Sequence, residues 1–227
     1  AKLTPSVPPT AAMGDRELRD AAERQRLGPA VARGEVEAQC RLAAMHEAGK
    51  GGPQDCAEAR RLYGLAAAQG HARAQFILGS MLGDGQGGPQ DYAKARRLYG
   101  QAAAQGHVRA QFILGSMYFK AQGGPQNHAE ARRLYGQAAA QGHASAQCNL
   151  GSMYLKGQGG AQDHVEARRL FGLAAEQGNT SAQSNLGMMH AQGQGGPQDH
   201  LEARRLFGVD ARPSPVDEAR FGLDGSR

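Results

Sequence analysis

The chain has 227 residues and a formal net charge of +5, and 40% of its residues are hydrophobic. This charge is compatible with an acidic partner, but it is too small and too dispersed to indicate a dedicated nucleic-acid binder. With no Trp and only six Tyr and six Phe, the interior must be built from small, closely packed side chains. No apolar run reaches the ~18 residues that a membrane span needs, so we predict a soluble protein and leave its compartment open.

The N-terminal region divides into a tail and a helix. Residues 1–14 contain three Pro and little apolar periodicity, which indicates a disordered tail or the remnant of a tag. Residues 15–33 align with the segment 36 residues further on and are predicted to form a degenerate helix that caps the array. Pro29 should kink or interrupt this helix, because it lacks a backbone donor and crowds the preceding turn.

A 36-residue unit dominates the remainder of the chain, with near-copies beginning at Gly34, Gly70, Gly106, Gly142 and Gly178. A fixed period of this length indicates a supersecondary unit that buries its apolar face only by stacking on its neighbours. We therefore predict that residues 15–210 form an all-α solenoid, a right-handed α-α superhelix of about five helix-turn-helix repeats. Residues 211–227 contain further Pro and are predicted to be a disordered C-terminal tail.

Each repeat is predicted to contain a helix A and a helix B, as the second repeat illustrates. Apolar residues at helical spacing predict helix A over residues 72–82, and the Gly-rich run that follows must end it. Helix B is predicted to begin after Asp91 and to reach about Gln105. Its predicted buried face consists of Ala95, Leu98, Tyr99, Ala102 and Ala103.

The ends of helix B carry strong local signals. In four repeats an Asp or Asn is followed three residues later by Glu, as in Asp163 and Glu166, which is typical of a capping box. The Gly that opens the next repeat should end helix B in the left-handed conformation. Helix A contains an internal Gly, such as Gly115, which would cost up to about 1 kcal/mol. We expect the backbone of an adjacent helix to lie close to it.

Together these features resemble the Sel1-like repeat family, a branch of the tetratricopeptide-type helical solenoids. The resemblance rests on the 36-residue period, the segments AQFILGSMY and EARRLYGQAA, and a glycine loop followed by Asp, over about residues 35–207. It implies a protein-interaction scaffold or adaptor. A cysteine-rich branch of the family is linked to penicillin binding, so a β-lactam-binding or hydrolysing protein is the third and weakest alternative. Cys40, Cys56 and Cys148 lack the regular pairs that mark this branch.

The candidate binding surface lies on helix A, because one side of this helix usually lines the concave face of stacked helix pairs. At about 100° per residue, a set of Phe and polar residues points away from the predicted buried face. We predict that these residues form a groove for a protein or peptide partner. They are Phe76, Ser80, Phe112, Ser116, Phe119, Asn149, Ser152, Leu155 and Asn185. The alternative is that the phenylalanines fill gaps between neighbouring A helices.

A second candidate surface is a ladder of arginine pairs on helix B. The pairs are Arg60-Arg61, Arg96-Arg97, Arg132-Arg133, Arg168-Arg169 and Arg204-Arg205. Such a ladder could bind an anionic surface or nucleic acid, which is the alternative function. It lacks the interleaved aromatic residues that single-strand binding uses, and Glu residues stand three positions before most of the second arginines. We therefore favour a solvated face and do not expect nucleic acid as the partner.

Histidines recur at the predicted starts of both helices, at His71, His107 and His143 and again at His128, His164 and His200. Members of one set are a full repeat apart, which is too far to share a metal ion. No arrangement of Ser, His and acidic residues indicates catalysis. We predict a monomer that is not an enzyme, with no metal and no cofactor.

Overall fold

The computed structural model describes residues 14–208 of the protein. In this range it contains eleven α-helices and no β-strand. The helices are α1 Asp15–Ala32, α2 Val36–Ala48, α3 Cys56–Ala68, α4 Ala72–Asp84, α5 Tyr92–Ala104, α6 Val108–Phe119, α7 His128–Ala140, α8 Ala144–Lys156, α9 His164–Glu176, α10 Thr180–Gln192 and α11 His200–Leu206. The tails predicted at 1–14 and 211–227 lie outside the described residues, except for Gly14, the N-cap residue of α1.

The helices form an all-α helical-repeat solenoid, and the chain divides into two compact units. In the first unit, which ends at His107, each helix from α1 to α5 packs against the next one. In the second, which starts at Val108, the same holds from α6 to α11. Helix A of the five repeats is α2, α4, α6, α8 and α10, and helix B is the helix that follows each of these.

Helix boundaries follow the local signals in the sequence. In the second repeat, α4 continues two residues beyond the predicted end and stops at Gly85, whose φ is 71°. The predicted buried face of helix B is confirmed at all five positions of α5. The predicted interruption of α1 is wrong, because Pro29 lies within the helix and its carbonyl accepts the Arg33 N–H at 3.1 Å. The proline stands in the last turn, where the helix ends in any case.

The predicted N-caps of helix B are confirmed. The side chains of Asp55, Asp91, Asn127, Asp163 and Asp199 each accept the backbone N–H three residues later, at 2.9–3.0 Å. The Glu at that third position does not bond to the backbone N–H of the cap residue, as a capping box requires, but pairs with an arginine of the same helix. For example, both oxygens of Glu166 accept hydrogen bonds from Arg169, at 2.7 and 2.6 Å. The expected box is therefore a cap followed by an ion pair.

Aromatic side chains explain the glycines inside helix A. A β-carbon added to Gly115 would lie 2.9 Å from the Tyr135 ring, and one added to Gly151 would lie 3.1 Å from the Phe171 ring. Such distances are closer than real β-carbons tolerate without movement of the neighbour. The predicted close approach is thus present, and the nearest atoms belong to a ring from helix B of the same repeat. A backbone carbonyl of that helix also lies close, Ala131 O at 3.4 Å from the added β-carbon of Gly115 and Ala167 O at 3.3 Å from that of Gly151.

The loop between helices A and B binds the preceding repeat. In the fourth repeat, Gly159 lies directly on the backbone carbonyl of His128 in the preceding helix B. The next residue, Gly160, lies on the guanidinium of Arg132. The Gln162 amide closes the loop by donating to the Leu155 carbonyl at 2.7 Å. These glycines therefore form part of the contact between successive repeats, in addition to making a turn.

A buried glutamine in helix A also links repeats. Gln147 is 5% exposed, and its amide nitrogen donates to the carbonyl of Ala139 in the preceding helix B at 3.2 Å. Its amide oxygen accepts from Gln177 at the end of its own helix B, at 2.8 Å. Because both polar atoms are satisfied, burial of this side chain stabilises one stacking geometry without leaving an unpaired group. Gln75 makes the same two hydrogen bonds in the first unit.

Candidate partner-binding groove

An open groove in the second unit brings together five of the residues predicted to bind a partner. These are Phe112, Ser116, Phe119, Asn149 and Ser152, which line a cavity of about 490 Å³. Sequence reasoning missed the other residues of the lining, which are Lys120, Tyr135, Met153, Lys156 and Gln158. We call this cavity the α6–α8 groove, because helices α6 and α8 supply most of its walls.

The phenylalanines of the groove are half-buried, which lies between the exposed strip that the helical spacing predicted and the alternative in which they only fill gaps. Phe112 stacks on the His143 ring with centroids 4.7 Å apart, and it also contacts the Tyr135 ring at 5.8 Å. Phe119 stacks on the His128 ring at 5.0 Å. Both phenylalanines pack against the hydrophobic core of the second unit, so each leaves only part of its ring available to a ligand.

A tyrosine hydroxyl organises the polar groups of the groove. The Tyr135 ring is buried against Gly115, and its hydroxyl lies 2.9 Å from the Ser116 hydroxyl in a hydrogen bond. Burial raises the pKa of Tyr135, while hydrogen bonding with Ser116 and Asn149 acts in the opposite direction. Ser152 donates to the Cys148 carbonyl at 3.1 Å. The groove thus presents a neutral phenol, an amide and two hydroxyls beside the phenylalanine rings.

The other four predicted residues lie outside this groove. In the first unit, Phe76 stacks on the His107 ring at 4.6 Å, and Ser80 donates to the Asp84 carboxylate at 3.3 Å. In the second unit, Leu155 packs against the hydrophobic cluster that contains Phe171. Asn185 forms a side-chain hydrogen bond with the Cys148 thiol, which opposes the effect of burial on the thiol pKa. Partner binding by these residues stays a prediction.

The first unit contains a smaller cavity that the sequence did not suggest. It measures about 250 Å³ and is lined by Glu37, Cys40, Arg41, Ala44, Tyr63, His71, Arg73 and Ile77. The Cys40 sulfur lies 3.5 Å from His71 Nδ1. Burial raises the pKa of this thiol, and the Glu37 carboxylate raises it further, so the sulfur is held in the neutral form. A neutral thiol is a poor nucleophile, and this geometry does not indicate catalysis.

The first arginine of three pairs in the ladder, Arg60, Arg132 and Arg168, makes a contact between repeats. Arg132 donates to the carbonyl of Ala161 in the following loop at 3.0 Å, and its guanidinium lies 3.8 Å from the centroid of the Tyr154 ring. Arg168 donates to the Pro197 carbonyl at 3.2 Å and contacts His190 Nδ1 at 2.8 Å. These donors are therefore committed to the protein's own backbone and rings.

The second arginine of most pairs is neutralised by glutamate. Arg133 makes two hydrogen bonds to Glu130, at 2.8 and 2.6 Å, and the same hydrogen bonding lowers the pKa of that carboxyl. The corresponding ion pairs are Arg61 with Glu58, Arg169 with Glu166, and Arg205 with Glu202. The pairing expected from the sequence is thus present in four repeats, and the ladder offers fewer uncommitted charges than its composition suggests.

Two of the predicted histidines act as helix caps. His71 accepts the Ala74 N–H and His143 accepts the Ala146 N–H, each through Nδ1 at 3.2 Å. Within residues 14–208, no group of three or more His, Cys, Asp or Glu side chains is placed to hold a metal ion. In the same part of the chain, no helix combines the length and apolarity that a membrane crossing needs.

The stacked helix pairs and the inter-repeat contacts define a protein of the helical-repeat class. The Sel1 repeat model matches residues 36–71, 72–107, 108–143, 144–179 and 180–208, and the chain belongs to the Sel1 repeat family. Proteins of this family commonly act as protein-interaction scaffolds. None of the curated proteins matches the chain.

Two solved structures are similar to this chain over most of its length. A Sel1 repeat protein from Oxalobacter formigenes is 28% identical, with a TM-score of 0.67, and the match covers 85% of this chain and 79% of that one. The second is c5321, a protective antigen of uropathogenic Escherichia coli strains that displays an SLR fold. It is 30% identical with a TM-score of 0.67, and the match covers 88% of this chain but only 51% of c5321.

Proposed function

We propose that the protein is a non-catalytic interaction scaffold that binds a segment of a partner protein in the α6–α8 groove. The observation that supports this proposal most is the convergence of five predicted residues on one cavity of about 490 Å³. This volume falls within the range of ~300–1,000 Å³ that is usual for ligand pockets. The groove also combines half-exposed aromatic rings with a few polar groups, the composition that peptide-binding grooves use for anchoring and orientation.

A role for the arginine ladder as the main binding surface has less support. Three of its first arginines bind loop carbonyls, and four of its second arginines are paired with glutamate. An anionic partner would have to compete with these internal contacts. No comparable internal ion pair occupies the α6–α8 groove within the described residues, which is why we place the partner there.

The test is a matched pair of serine substitutions. Ser152→Arg places a long side chain in the groove, whereas Ser181→Arg places the same side chain at an exposed position of α10, a helix that contributes no residue to the groove lining. Proteins captured from a native extract on each variant are compared with those captured on the unaltered chain, after circular dichroism has confirmed folding. We expect loss of specific partners with Ser152→Arg and unchanged capture with Ser181→Arg. Identical capture by both variants would exclude the groove.

A further inference from the structure

Two lysines give the α6–α8 groove a charge that the neighbouring repeats do not share. Lys120 follows the last residue of α6 and Lys156 is the last residue of α8, and both are exposed and line the groove. No Asp or Glu lines it. Within residues 14–208, neither ammonium group takes part in an ion pair, in contrast to the second arginine of most pairs in the ladder.

A purely structural role does not explain these lysines. A cation at the C-terminal end of a helix is favoured by the helix dipole, usually by about 0.3–1 kcal/mol. However, the equivalent residue is Asp84 in the second repeat and Gln192 in the fifth, although the surrounding motif is retained. The fold therefore accepts an acidic or a neutral residue at this position. The positive charge is specific to the two repeats that form the groove.

From this geometry we infer that the α6–α8 groove binds an acidic peptide segment, with an apolar anchor side chain flanked by Asp or Glu. This inference rests on the proposed function and specifies its partner. The apolar side chain contacts Phe112 and Phe119, while the carboxylates of the flanking Asp or Glu face Lys120 and Lys156. The hydrogen bonds of the Tyr135 hydroxyl with Ser116 and Asn149 hold these polar side chains in place within the groove lining. Charge complementarity of this kind mainly determines specificity and association rate.

The probes are three pools of fluorescent hexapeptides that share a central Phe or Leu anchor. The flanking positions are Asp and Glu in the first pool, Asn and Gln in the second, and Lys and Arg in the third. Binding to the full chain is measured by fluorescence polarisation at low and at physiological salt. We expect the acidic pool to bind most tightly, with an affinity that falls as salt rises, because exposed charges are screened over about 8–10 Å.

Substitution of the lysines then identifies the site. Lys120→Gln and Lys156→Gln should each weaken binding of the acidic pool by about two- to fivefold, as expected for one exposed charge pair. The double change to Glu should reverse the preference, so that the basic pool binds more tightly than the acidic one. Lys50→Gln, at an exposed lysine of the first unit, is the matched control and should leave all three affinities unchanged.

The outcomes separate this inference from the proposed function. Equal binding of the acidic and amide pools, sensitive to Ser152→Arg but not to the lysine changes, would overturn the acidic specificity and retain the groove. If no pool shows binding that Ser152→Arg weakens, both the acidic specificity and the groove as a binding site are overturned. A labelled oligothymidylate serves as a further probe, and if it bound more tightly than the acidic pool with the same lysine dependence, the partner would be a nucleic acid instead of a protein.

Discussion

The contact between Gly159 and the preceding helix B is a sharp test of how repeats are joined. Gly159 and Gly157 belong to the same loop, and both have left-handed backbone conformations, with φ values of 72° and 64°. A β-carbon on Gly157 would make only ordinary contacts, the nearest at 3.5 Å, whereas one on Gly159 would overlap the backbone carbonyl of His128. The substitutions Gly159→Ala and Gly157→Ala therefore differ mainly in the contact between repeats.

The expected free energies follow from this geometry. Each alanine would occupy the left-handed region, which costs roughly 1–2 kcal/mol for a residue with a β-carbon. Gly159→Ala adds an overlap with backbone atoms that cannot rotate away, and overpacking of this kind usually costs about 1–3 kcal/mol. We expect Gly157→Ala to lower the free energy of unfolding by about 1–2 kcal/mol, and Gly159→Ala to lower it by roughly 2–5 kcal/mol.

The assay is urea unfolding of the full chain followed by far-ultraviolet circular dichroism, with both variants in the same buffer. Repeat proteins transmit stability through contacts between neighbours, so a weakened contact should also broaden the transition. Equal losses of stability for the two variants would refute the account, because they would show that the loop tolerates a β-carbon against the preceding helix.

Three further predictions test other parts of the structure. Ala121 has a φ of 59° at a position where the other four repeats have Gly. Ala121→Gly should raise the free energy of unfolding by about 0.5–1 kcal/mol, because relief of the left-handed strain exceeds the extra backbone entropy that Gly gives the unfolded chain. Arg132→Ala should cost about 1–3 kcal/mol, because it removes a charged hydrogen bond and a ring contact, while Arg133→Ala removes only an exposed ion pair and should cost at most about 1 kcal/mol. Burial and a neighbouring arginine lower the pKa of His46 and of His190, so the unfolded chain binds protons more readily, and stability should fall as the pH drops below about 6.5.

Each of these predictions has its own control. Ala129→Gly, in the exposed part of α7, should destabilise the protein, so a gain common to both glycine substitutions would contradict the reason given for Ala121. Equal losses for the two arginine variants would contradict the division of the ladder into inter-repeat and surface residues. For the histidines, the double change to Gln should reduce the pH dependence of the urea midpoint. An unchanged slope would assign that dependence to other groups.

The sequence predicted the fold because the signals that build it are local. N-caps, C-terminal glycines and the small-residue face of helix B act within a few residues, and the 36-residue period then repeats them in a fixed register. The structure confirms these features, as in the five buried positions of α5. The error at Pro29 arose because a proline in the last turn of a helix removes a donor without ending the helix earlier.

The candidate groove was only partly predictable. Helical spacing identified Phe112 and Ser116 as residues that turn away from the main buried face, but it did not show that Phe112 would stack on a histidine from the next repeat. It also missed Tyr135, which comes from helix B and reaches the groove across Gly115. The positive charge of the groove was visible in the sequence, since Lys120 stands where the preceding repeat has Asp84. That this lysine lines a groove could be seen only from the side chains around it in the structure.

The amino-acid sequence by itself determined the helices, their pairing into repeats and the membership of a repeat family. Tertiary structure decided which residues are committed to the stack and which remain available to a partner. The reason is that helix formation depends on neighbours in sequence, whereas availability depends on groups from other helices. Three first arginines of the ladder bind loop carbonyls and four second arginines pair with glutamate, whereas the two lysines at the ends of α6 and α8 line the groove and form no ion pair within residues 14–208.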